Sequence, residues 1–138
     1  MQITINLPHV FSPGSTPVEN APVLQALLEA LIAINRDFLK RRPWCPRLYD
    51  TSVYYARTYW WEPIPALYLR GFGDCKSLAA ALIAEYRNAG IPAKPVFRWS
   101  ENPQTGSRDF HILVQTANGF EDPSKVKGMG AIEVSRYY

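Results

Sequence analysis

A chain of 138 residues, 47% of them hydrophobic, has the size of one ordinary domain and enough apolar material to bury a core. Its formal net charge of +3 falls well short of the clustered positive field that makes nucleic acid a default partner, so none is expected. Cys45 and Cys75, the only cysteines, are too few for a disulfide framework and lack C-x-x-C spacing, which points to a reducing compartment.

The first residues, Met1 to Leu7, alternate like a short strand, and His9 to Asn20 form a Pro/Gly/Ser/Thr-rich connector. His9 lies in that connector, before any element that could position it, and is read as an ordinary exposed histidine. The start lacks the charged and apolar regions of a signal peptide. The apolar stretch Val23 to Ile34 is broken by Gln25 and Glu29 and is shorter than the roughly 20 residues a bilayer span needs. A soluble, cytoplasmic protein with no membrane partner is therefore expected.

A helix is predicted from Asn20, as cap, with Pro22 in its first turn, to about Arg41; Leu24, Leu27, Leu28, Leu31 and Phe38 form its buried face. The run Lys40-Arg41-Arg42 either complements the dipole at that helix's end or offers a patch to an anionic partner. Pro43 and Pro46 stop the helix, and the aromatic-rich stretch Tyr49 to Trp61 reads as a helical or irregular segment lining something. A short helical turn is expected over Ala66 to Leu69.

Gly71 and Gly73 then frame a turn into a second long helix, Cys75 to about Asn88, with Asp74 as its cap. Leu78, Ala79, Leu82 and Tyr86 follow Cys75 at three- and four-residue steps, which puts the thiol on the buried side. At a helix start the dipole and the first peptide N–H groups favour a thiolate. Gly90 suits the position just past the helix end. Strands are expected over Lys94 to Trp99, Asp109 to Thr116 and Phe120 to Asp122, the last two joined at an Asn118-Gly119 hairpin signal, with a turn near Ser124 to Met129 and a last strand at Ala131 to Val134.

A thiol nucleophile needs a base and an orienter, and His111 and Asp122 are the groups available downstream. The two share a face by parity, but register decides the distance. A two-residue turn at Asn118-Gly119 would set Gln115 opposite Asp122 and leave His111 roughly 13 Å away at about 3.3 Å per residue. A four-residue loop, Gln115 to Asn118, would set His111 directly opposite Asp122 and is the register expected. Asp109 is the fallback orienter.

The motifs Gly73-Asp74-Cys75-Lys76-Ser77-Leu78-Ala79, Gly90-Ile91-Pro92-Ala93, Phe110-His111-Ile112-Leu113-Val114 and Gly119-Phe120-Glu121-Asp122-Pro123, in that order, resemble the transglutaminase-like cysteine superfamily, relatives of the papain-like proteases. The resemblance covers roughly residues 49 to 129. Its compact size and its Asp122-Pro123-Ser124-Lys125 to Gly128-Met129 ending look most like the short bacteriophage- and prophage-encoded type, whose setting would be host cytoplasm or virion. It implies an α+β, papain-like core in which the nucleophile helix packs on an antiparallel sheet, within a single domain over 1–138 (strand and helix over 1–48, Cys/His/Asp core over 49–138).

By the same resemblance Cys75 is the nucleophile, His111 the general base and acid, and Asp122 the orienter. Relatives commonly add an upstream side chain to the oxyanion hole, and Tyr54, Tyr55, Trp60 and Trp61 all carry a suitable donor. The implied activity is thiol-dependent acyl transfer at a peptide or protein amide, as hydrolysis or transamidation, with no cofactor and no metal. The alternative is a catalytically silent peptide-binding or phage assembly module on the same fold.

Overall fold

The computed structural model describes residues 17–101, 103–104 and 108–130. Helix α1 (Pro17–Arg41) starts three residues earlier than the sequence suggests, and Pro22 lies inside it. Pro17 holds the first-turn position, where a missing N–H is no loss, and the fixed φ of Pro22 is compatible with continuing the helix. The strands expected over Met1 to Leu7 and Ala131 to Val134, and His9, lie outside the described residues.

The aromatic stretch is neither one helix nor wholly irregular. It holds a 3-10 turn (Leu48–Asp50) and a two-residue strand, β1 (Tyr54–Tyr55). Helix α2 (Ile64–Arg70) follows, its first N–H accepted by the buried Asn35 Oδ1 at 2.7 Å. Strand β2 (Phe72–Gly73) then pairs in parallel with β1, Tyr54 beside Phe72 and Tyr55 beside Gly73. Helix α3 (Cys75–Asn88) has the limits its sequence pattern predicts, and Gly90 follows its end at φ +79.

Strands β3 (Lys94–Glu101), β4 (Arg108–Thr116) and β5 (Gly119–Glu121) form an antiparallel sheet in that order, and helix α4 (Pro123–Val126) leaves it. The architecture is α+β. The core lies between α1, α3 and the sheet, where Leu28, Ile32, Leu78, Leu82, Ile83, Ile112 and Val114 are almost fully buried. Leu28→Ala, which removes three buried carbons from the α1 side of that layer, is expected to lower stability by about 2–5 kcal/mol in urea unfolding.

Two polar side chains stitch the loop before α2 to the start of α3. Lys76 Nζ donates to the Thr58 carbonyl at 2.9 Å, and Ser77 Oγ accepts the Glu62 N–H at 3.1 Å. Gly73 permits the close approach, because a Cβ there would meet Leu67 Cδ1 at 2.5 Å. The turn that presents Cys75 is thus held from both sides by packed chain.

Candidate active site

Cys75 is the first residue of α3 and is 7% exposed. Its sulfur lies against β4, where the peptide N–H of Ile112 acts on it. That contact is open because β5 is short: it pairs only with Val114, Gln115 and Thr116, so the β4 edge at His111 and Ile112 is free of β5. The thiol occupies a notch that a longer strand would fill.

His111 Nε2 and Asp122 Oδ2 are 2.8 Å apart. The pairing expected from the sequence forms, but the expected register does not. The hairpin loop is two residues, Ala117 and Asn118, with Thr116 beside Gly119, Gln115 beside Phe120 and Val114 beside Glu121. Thr116 Oγ1 accepts the Asn118 N–H at 3.2 Å and Gly119 takes φ +114, so the turn closes tightly and the ladder runs on through Gln115 and Thr116. In that register Asp122 would face Leu113, about 7 Å along the strand from His111. It reaches the imidazole because it leaves the ladder to cap α4: Oδ1 accepts Ser124 N–H at 3.1 Å and Lys125 N–H at 3.3 Å, and Oδ2 is left for His111. Asp122 holds Nε2, and the side chain of the fallback Asp109 lies outside the described residues.

With Nε2 tied to Asp122, Nδ1 is the ring nitrogen left to take a thiol proton. Among the described residues no hydrogen bond yet joins the sulfur to the imidazole. Nor is the thiol acidified, as the helix-start argument expects: burial, and then the Asp74 carboxylate, push Cys75 up to about 12, while the Ile112 and Lys76 peptide N–H groups and the Lys76 charge pull the other way. Desolvation outweighs the helix N-terminus because the dipole acts from partial charges and the sulfur is almost cut off from water.

The four aromatic candidates separate cleanly. Tyr54 packs on Phe72 with ring centroids 5.6 Å apart, Trp60 lies under the Arg70 guanidinium at 3.9 Å, and the Trp61 ring is 5.9 Å from Lys76 Nζ. Tyr55 is coupled to the groups around Cys75. Burial, then coupling to the titrating Cys75 thiol and the Asp74 carboxylate, raise its phenol to about 12, with Arg57 pulling the other way and Asp122 adding a smaller push. Its hydroxyl makes no hydrogen bond among the described residues, and its backbone is fixed by pairing with Gly73 and by an N–H donated to the Lys127 carbonyl at 2.8 Å. Only the β1–β2 register distinguishes it from its neighbours.

The sequence reading missed two features. Asp74 occupies the cap position of α3 without capping it, and its carboxylate turns instead to Lys76 Nζ, both side chains buried. The residue before Asp122 is clamped as well: one Glu121 oxygen accepts the Tyr86 hydroxyl at 2.6 Å and the other accepts the Tyr49 hydroxyl. This clamp ties the end of β5 to α3 and to the 3-10 turn. Among the described residues no three His, Cys, Asp or Glu side chains are grouped to hold a metal ion, and no helix is long and apolar enough to cross a membrane.

The family model of the transglutaminase-like superfamily matches residues 44–122, a span that takes in Tyr55, Cys75, His111 and Asp122. The chain belongs to that superfamily. No curated protein and no solved structure matches it. Members of the transglutaminase-like superfamily are in general cysteine enzymes of acyl transfer, and the matched span holds Cys75, His111 and Asp122 in that order.

Proposed function

We propose that the protein is a cysteine-dependent acyl transferase acting on peptide or protein amides. Cys75 passes its proton to His111 Nδ1 and attacks the carbonyl carbon, and the resulting oxyanion is met by the Cys75 peptide N–H and the Tyr55 hydroxyl. The C–N bond then breaks, the amine leaves with the proton from His111, and a thioester remains on Cys75 for water or a second amine to resolve. Asp122 keeps the proton on Nε2 and so leaves Nδ1 basic. The observation that carries the reading is the His111–Asp122 bond at 2.8 Å, which is made through Nε2 and leaves Nδ1 to serve as the base on β4, the strand next to the thiol. The run Asp122-Pro123-Ser124-Lys125 to Gly128-Met129 resembles the short phage-encoded type.

Incubation with a library of carboxamide-bearing peptides, an acid quench and intact-mass analysis test this directly. A Cys75-linked acyl adduct, discharged by hydroxylamine as a hydroxamate, is expected. Absence of any adduct, together with inertness of Cys75 towards a peptidyl electrophile, would favour the silent peptide-binding module, the reading to which the neutral, buried resting thiol lends weight. Tyr55→Phe removes only the phenolic donor and is expected to lower kcat by about 100- to 1000-fold with little change in KM.

A further inference from the structure

We infer that Asp74 and Lys76 form a buried charge pair that sets when Cys75 ionises, with Asp74 holding the sulfur in its thiol form and Lys76 supplying the counter-charge. The inference rests on Cys75 as the nucleophile, but it concerns the thiol alone and needs no substrate. Asp74 is 7% and Lys76 5% exposed, and the two flank Cys75 in the chain. Lys76 Nζ is held between an Asp74 oxygen and the Thr58 carbonyl, with the Trp61 ring beyond. Asp74 Oδ1 has no hydrogen-bond partner.

Burial pushes the Asp74 carboxyl up while the Lys76 ammonium beside it holds it down, and a carboxylate kept there by one buried cation and only half bonded is a costly arrangement to keep for structure alone. A serine at the cap position would satisfy the helix start better. What the carboxylate does there is act on its neighbours: it opposes negative charge on Cys75 and on the Tyr55 phenol. The other ionisable groups of the site are Tyr55 from β1, coupled to Cys75 and to Arg57, and the bonded pair of His111 from β4 and Asp122 beyond β5. In the free enzyme burial, reinforced by this carboxylate, keeps the sulfur protonated and guarded against oxidants until His111 takes its proton. Removing the Asp74 charge leaves the Lys76 ammonium facing the sulfur alone, and an unopposed neighbouring cation favours a thiolate.

The test is the pH profile of Cys75 alkylation by iodoacetamide, read by peptide mass spectrometry with Cys45 as the internal control. Asp74→Asn and Asp74→Ser are each expected to move the Cys75 half-point down by about one pH unit or more, roughly a tenfold faster reaction below the half-point, with Cys45 unchanged. Asp74→Ser provides a good helix cap, so it guards against loss of fold in the amide variant. The double variant Asp74→Asn/Lys76→Met, which removes both charges, is expected to lie between Asp74→Asn and wild type. Profiles that superimpose on wild type, or a double variant as reactive as Asp74→Asn, would overturn the charge pair in favour of simple loosening. Failure of the acyl-adduct experiment alongside the expected alkylation shifts would overturn the acyl-transfer reading and leave this one standing.

Discussion

Replacing Cys75 with alanine is expected to lower amide turnover by about six orders of magnitude, the scale on which removal of the nucleophile from a triad acts. The other groups of the site do chemistry only through the sulfur. His111 has no other proton to take in the acylation step, and the oxyanion donors have no tetrahedral centre to stabilise. Alanine at the first position of α3 keeps the helix and removes one small atom from the rim of the core, so the melting temperature should change by only a few degrees. A Cys75→Ala protein that retained more than about a thousandth of wild-type activity would place the nucleophile elsewhere.

Asp122→Asn is expected to cost about 10,000-fold in kcat while leaving stability nearly untouched. Asparagine caps helices about as well as aspartate, so the bonds from Ser124 and Lys125 N–H to Oδ1 survive. On the other side the amide offers an N–H to Nε2 where the carboxylate accepted one. The proton is driven onto Nδ1, the nitrogen that must be empty to receive the thiol's. Nitrogen NMR of His111 should show the exchanged tautomer in the folded variant. A loss of activity matched by a loss of fold, with the tautomer unchanged, would mean that Asp122 serves α4 alone.

Helix α3 was legible to the residue because local chemistry states both its ends: a glycine turn and Asp74 before it, Gly90 after it, and apolar residues at helical spacing between. The His111–Asp122 pair was legible in kind and not in register. Strand parity follows from alternation alone, whereas the hairpin register depends on the hydroxyl of Thr116 and on Asp122 leaving the ladder. Strands β1 and β2 have two residues each and exist only through their mutual pairing, which no local pattern announces. Tyr55 could not be separated from Tyr54, Trp60 and Trp61 for that reason. Asp74 and Lys76 were hidden differently: charged residues are rarely fully buried, so sequence reasoning reads Asp74 as a cap and has no ground to expect Lys76 buried beside it.

An unpaired strand edge ordinarily invites another chain to dock and extend the sheet, and proteins blunt such edges with bulges, charges or covering chain. The edge of β4 at Ile112, left free by β5, is buried near the head of α3, so its N–H acts on the sulfur and is not left to recruit a foreign strand. Strand termination at Glu121, enforced by Pro123, thereby protects the molecule from intermolecular sheet growth and keeps vacant the place where the thiol resides. Among relatives, insertion or deletion just ahead of the aspartate would put solubility and reactivity at risk together, since both draw on the same few backbone groups.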